Sequence, residues 1–146
     1  MVLMLSGCVK EEKTVKRAVF AWNGVETEDR VILGKYQIGT IFMDINHYSS
    51  ISNYNIFVLA GDPSWGVDEM QKVVDDAEEK RADGVIFDIE GDYSLLASNL
   101  SLLDSHLPIY VCIPFWLDED VWDGVIKEAD GIVVMNYSKG NERMNC

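Results

Sequence analysis

The chain has 146 residues, enough for one domain with its own core and too few for two of ordinary size. Apolar residues make up 48% and charged residues 25%, a globular composition that excludes a disordered, collagen-like or disulfide-scaffold protein. With 25 Asp plus Glu against 12 Lys plus Arg the field repels phosphate backbones and no basic patch offsets it, so nucleic acid is not an expected partner.

Residues 1–15 read as a leader and a tether. Leu5-Ser6-Gly7-Cys8 resembles a lipobox, in which a signal peptidase cuts before a cysteine that then carries lipid, and residues 9–13 form the charged stretch that follows such a cysteine. The apolar stretch 1–5 is shorter than the roughly 7–15 residues of a signal core, which places the true start upstream of Met1. The expectation is an exported protein held at a membrane through Cys8; without a signal it is cytoplasmic. No apolar run approaches the ~20 residues that span a bilayer.

From residue 16 on, short β-rich runs alternate with amphipathic segments, the pattern of βα units and a parallel sheet. Strands are expected at 17–22, 39–45, 55–60, 84–89, 109–113 and 131–136. Helices are expected at 67–81, where Val67, Met70, Val73, Val74 and Ala77 form an apolar stripe, and at 93–103 and 119–128. A weak repeat, Ala82-Asp83-Gly84-Val85-Ile86 and Ala129-Asp130-Gly131-Ile132-Val133, follows a helix and opens a strand each time, with its glycine read as a left-handed turn residue. Cys8, Cys112 and Cys146 show no CxxC spacing and His47 and His106 lie far apart, so no metal centre or cofactor is expected; Cys112 reads as a small core residue.

In a parallel sheet the chemistry sits at the C-terminal ends of the strands. Every candidate residue falls there: Trp22 after the first strand, Asp44 on the second, Asp62 and Trp65 after the third, Asp88 and Glu90 on the fourth, Trp116 after the fifth, Met135 and Tyr137 on and after the sixth. Alternation places Ile86, Asp88 and Glu90 on one face of the fourth strand. Two adjacent carboxylates do not both ionise cheaply, so one pKa rises, and Glu90, the outermost, reads as a general acid with a raised pKa. A purely structural role, capping the next helix or pairing with a rim cation, is the alternative. Trp22, Trp65 and Trp116 offer indole faces on which a pyranose ring can stack, which makes carbohydrate the expected partner.

The stretch Asp83-Gly84-Val85-Ile86-Phe87-Asp88-Ile89-Glu90 resembles the DGxDxDxE strand of glycoside hydrolase family 18, the chitinase-like TIM barrels, and Met135-Asn136-Tyr137 resembles the MxY of their sixth strand. Residues 57–65 followed by 83–90 are similar to a group of uncharacterised bacterial barrel proteins related to those hydrolases. The resemblance implies a glycosidase acting on a polysaccharide or oligosaccharide, with Glu90 as proton donor, Asp88 steering a 2-acetamido group, Tyr137 hydrogen-bonded to the reacting sugar and Asp83 structural. Two positions depart from the pattern: Ile86 stands where the family has its middle aspartate, and Ser138 where an aspartate follows the tyrosine. Without the middle carboxylate, Asp88 is expected to stay ionised beside Glu90.

The expected fold is therefore α/β, an incomplete parallel (β/α) barrel of TIM type with about six βα units over residues 16–138 and a tail at 139–146. On this reading the remaining units are encoded past Cys146. The rival is an open doubly wound α/β sandwich in which Asp62, Asp88 and Glu90 hold Mg²⁺ through oxygen ligands; no P-loop or GxGxxG supports nucleotide binding there. A third reading is a non-catalytic carbohydrate-binding relative or a nonfunctional fragment.

Overall fold

A computed structural model describes residues 16–135. Cys8, Tyr137, Ser138 and the segment 139–146 lie outside the described residues. The fold is α/β: β1 (Arg17–Ala21), α1 (Asp29–Lys35), β2 (Ile38–Asp44), β3 (Asn55–Ala60), α2 (Val67–Glu79), β4 (Gly84–Phe87), α3 (Leu96–Ser101), β5 (Ile109–Pro114), α4 (Glu119–Glu128) and β6 (Gly131–Met135). The strands form one 6-stranded sheet in chain order, every neighbouring pair parallel. That order contains no reversal, the place at which a doubly wound sheet opens its ligand crevice.

Side-chain parity divides the core. On one face Val58, Ala60, Val85, Phe87, Val111 and Ile113 pack against Met70, Val73, Val74 and Ala77 of α2, Leu96 and Leu100 of α3 and Val125 of α4. Leu33 of α1 joins Ile41, Met43 and Ile56 on the same face. The other face gathers Ala18, Phe42, Phe57, Leu59, Ile86, Cys112 and Val133, one or more from each strand, and no described helix residue joins them. Phe42 and Ile86 are nonetheless 0% exposed. A flat sheet covered on one side would leave such residues wet, so the sheet curls and its concave side chains cover one another. Their rings form a chain: Phe20 to Phe42 at 5.0 Å, Phe42 to Phe57 at 5.9 Å and Phe57 to Tyr110 at 4.7 Å between centroids.

The Ala-Asp-Gly repeat turns out to be a strand clamp. Asp83 donates its N–H to the Ile56 carbonyl at 2.9 Å, and its Oδ2 accepts the Ile56 N–H at 2.7 Å. Asp130 does the same to Ile109, at 2.9 and 2.8 Å. Asp83 so fixes the second residue of β3, and Asp130 the first residue of β5. The glycines serve a different purpose from the one expected: neither has a positive φ, and the left-handed residue between α2 and β4 is Arg81 at φ 56. A Cβ at Gly84 would come within 2.5 Å of the Phe57 ring, and one at Gly131 within 2.6 Å of Tyr110, so the glycines make room for aromatics across the concave face. Asp83→Ala and Asp130→Ala should each cost about 1–2 kcal/mol, because each leaves a backbone N–H near the start of a strand without its acceptor. The sites share no partner, so urea denaturation of the double variant should show near-additive losses.

Besides shifts of one or two residues at several ends, three elements differ from expectation. α1 was not foreseen because only Leu33 of its seven residues is buried, leaving no apolar stripe, while Val31 and Ile32 face outward. β4 ends at Phe87 rather than Ile89, although the Asp88 N–H still donates to the Ala60 carbonyl at 3.0 Å; Gly91, at φ 145, then turns the chain away. The expected helix 93–103 begins as a 3₁₀ turn, Tyr93–Leu95, opened by the Asp92 carboxylate accepting the Ser94 N–H at 2.9 Å.

Candidate functional site

The ends of the first four strands enclose a cleft of ≈ 320 Å³ lined by Trp22, Asp44, Leu59, Ala60, Gly61, Pro63, Asp88 and Glu90. Concave parity brings this about. Phe20, Phe42, Leu59 and Ile86 point inward, so the next same-face positions, Trp22, Asp44, Gly61 and Asp88, ring the mouth. Trp22 stacks offset on Phe20, centroids 5.7 Å apart at 10°, is 52% exposed and lines the cleft.

Gly61 makes the carboxylate arrangement possible. A Cβ at this position would stand 1.9 Å from the Asp88 carbonyl oxygen and 2.4 Å from its carbon. Only a residue without a side chain lets the end of β3 approach closely enough to hold Asp88 in the mouth.

Asp88 and Glu90 occupy unlike environments. Glu90 is exposed, whereas Asp88 is sunk and its Oδ1 is buried without a hydrogen-bond partner. Burial, with the nearby Glu90 charge, pushes the Asp88 carboxyl up to about 6. Asp88 is thus neutral well below pH 6 and ionised well above it. Tyr93 stands in the same field, its phenol pushed up to about 12 by burial and then by Glu90 and Asp88. Beneath them burial, Asp88 and Glu90 raise the Cys112 thiol far above its ordinary range, which keeps this 1% exposed residue an inert filler of the concave core.

A raised carboxyl pKa works against the folded state once the group ionises. Below the unfolded value of 3.8 both states are protonated and Asp88 contributes nothing; the penalty grows as pH rises from about 4 to about 6 and is complete above that. A shift of this size corresponds to about 3 kcal/mol, which partial solvent access reduces to about 1–2 kcal/mol. Denaturant midpoints of the wild type and Asp88→Asn should therefore diverge between pH 4 and pH 7, the variant gaining at the higher pH; parallel curves would contradict the burial argument.

The other candidates are distributed along the rim. Asp44 lines the cleft while its Oδ1 accepts the Asn46 N–H at 2.8 Å and stands 3.5 Å from His47 Nδ1. Asp62 does not line the cleft: its Oδ1 accepts from the Ser64 N–H at 2.9 Å and the Ser64 hydroxyl at 2.6 Å, which hold its carboxyl below the usual range. Among the described residues no three His, Cys, Asp or Glu side chains stand close enough to hold a metal ion, so Asp62, Asp88 and Glu90 do not form the ligand set of the Mg²⁺ reading. Trp65 lines a groove of ≈ 310 Å³ between the β3 and β4 loops. Trp116 lines another of ≈ 560 Å³ and meets Tyr93 edge-on at 6.5 Å. Met135 packs on the concave apolar cluster, opposite Pro114. Gly61, Pro63 and Tyr93 are site residues that sequence reasoning passed over, although the Gly-Asp-Pro turn closing a strand and a tyrosine just after a carboxylate pair were visible signals.

No helix among the described residues is long and apolar enough to cross a membrane. No protein-family model matches the chain, and neither does any curated protein or any solved structure.

Proposed function

We propose that this chain is the greater part of a glycoside-hydrolase-like (β/α) barrel that binds an oligosaccharide at the mouth of its concave face, with Glu90 as general acid. The observation that carries this reading is the cleft itself, in which the half-exposed Trp22 indole stands with two carboxyl groups of unlike environment. Stacking on the indole orients a sugar ring, the exposed Glu90 reaches its glycosidic oxygen, and Asp88 beneath changes charge near pH 6. The sequential strand order, the helices on one face and the buried concave core favour a barrel over an open sandwich. The resemblance of residues 83–90 to the family 18 strand adds the same assignment of Glu90 and Asp88.

A non-catalytic sugar-binding role is the second reading. It is favoured by Ile86, which is 0% exposed and fills the concave core where the resembled family carries a carboxylate. Both readings require that the cleft hold sugar. Calorimetry against a panel of neutral oligosaccharides should detect binding that Trp22→Ala weakens roughly tenfold, since a half-exposed ring is removed without opening the core. Hydrolysis of the bound sugars separates the enzyme from the binder, and absence of binding across the panel would refute both.

A further inference from the structure

Among the described residues the sheet ends in two strands that have a neighbour on one side alone: β1 pairs with β2, and β6 with β5. Both are apolar along their length, Arg17-Ala18-Val19-Phe20-Ala21 and Gly131-Ile132-Val133-Val134-Met135. Past Arg17 neither carries a charge and neither holds a proline, the devices that ordinarily keep an edge strand from pairing with another chain. A shift of register between Arg17 and Ala18 disturbs only the start of β1. Val134 is 46% exposed on β6, and Val31 and Ile32 face outward on the helix after β1. The feet of the two strands are opposite in charge. Lys16 and Arg17 are exposed where β1 begins, with Lys35 at the end of α1, whereas Glu128 and Asp130 are exposed where β6 begins, beside the single Lys127. The acids of the first unit, Glu26, Glu28 and Asp29, follow the other end of β1.

We propose that β6 of one molecule pairs in parallel with β1 of a second copy, and that two copies joined in this way at both edges close one ring of strands. This goes beyond the carbohydrate reading and does not depend on it. Every pair in the sheet is parallel, so the join repeats the geometry that the sheet already uses. The parallel sense sets foot beside foot, Lys16 and Arg17 of one copy against Glu128 and Asp130 of the other, so that the two edges are complementary to each other in charge as well as in apolar character. A pair joined β1 to β1 would leave both β6 edges bare, and one joined β6 to β6 would leave both β1 edges bare. Joining unlike edges twice pairs all four, and the curl of the sheet brings its ends round toward such a closure. The Trp22 cleft opens at the β1 edge, so the join also places the end of the partner's β6 beside it, and each ring carries two clefts that are each completed by the other copy.

Sedimentation equilibrium of the full 146-residue chain, in reductant so that no cysteine links two copies, should give twice the 16.5 kDa of one chain. Arg17→Glu and Glu128→Arg should each raise the dissociation constant roughly tenfold, because each sets like charges side by side at both joins. The double variant exchanges the two charges and should recover the wild-type dimer, a result that general damage to the fold does not produce. Val134→Lys puts a charge on the β6 edge at an exposed position and should give a monomer with native circular dichroism. A wild-type chain that stays monomeric at millimolar concentration overturns the proposal, and protection of the β1 and β6 amides from exchange in that monomer would show that other parts of the same chain cover the edges. A mass that climbs without limit as concentration rises overturns the closed ring. So does a dimer that neither Glu128→Arg nor Val134→Lys weakens, since its contact then lies elsewhere.

Discussion

Gly61→Ala is expected to destabilise the protein by about 3 kcal/mol and to dislodge Asp88. The added methyl would fall 1.9 Å from the Asp88 carbonyl oxygen, and that obstacle is backbone rather than a side chain that can rotate away. The strands must part, which also breaks the hydrogen bond from the Asp88 N–H to the Ala60 carbonyl. Overpacking of this kind costs about 1–3 kcal/mol and a lost hydrogen bond adds about 1 kcal/mol. For a chain of this length each kcal/mol lowers Tm by roughly 3 °C, so a drop near 10 °C is expected by calorimetry. Gly39→Ala is the matched control: nothing lies within 4 Å of a Cβ there, and its Tm should hold or rise slightly. Equal behaviour of the two variants would show that β3 and β4 do not meet as described.

Glu90→Gln should lower turnover by about 10²–10⁴-fold, the usual contribution of a positioned general acid, while leaving sugar affinity nearly intact. The amide keeps the shape and the hydrogen-bonding reach of the carboxyl but has no proton to give. A second consequence separates catalysis from simple damage. The Glu90 charge is one of the two causes that raise the Asp88 carboxyl, so its removal should move the Asp88 titration below about 6. The limb that Asp88 sets in the pH profile should shift to more acid pH in the residual activity. NMR titration of Asp88 measures the same shift without any substrate. A variant with unchanged turnover would end the assignment of Glu90 as the acid.

The placement of these groups was partly legible in the sequence. β3 and α4 fall where periodicity and apolar stripe place them, because each packs one face on the core along its whole length. Alternation along β4 correctly set Asp88 on the concave side with Ile86, since parity is inherited from the strand. Trp65 and Trp116, in the loops after β3 and β5, line grooves beside the cleft rather than the cleft itself. Asp62 was equally ambiguous: its spacing to Ser64 is that of a carboxylate closing its own turn, a local bond that competes with any ligand. The role of Gly61 depends on how closely two strands approach across the sheet, a distance that one-dimensional spacing does not contain. The glycines of the Ala-Asp-Gly repeat show the same limit, being required by rings on other strands and not by their own backbone angles.

The ring chain across the concave face gives the protein an internal optical gauge. Phe20, Phe42, Phe57 and Tyr110 are held edge to face or tilted, with Trp22 stacked on the end of the row. Rings locked in one asymmetric arrangement rotate near-ultraviolet light, and that signal vanishes when packing loosens even if helices and strands persist. Because the row crosses β1, β2, β3 and β5, its dichroism reports the packing of the concave face and adds to the signal of aromatics elsewhere, such as Trp122 on the helical side.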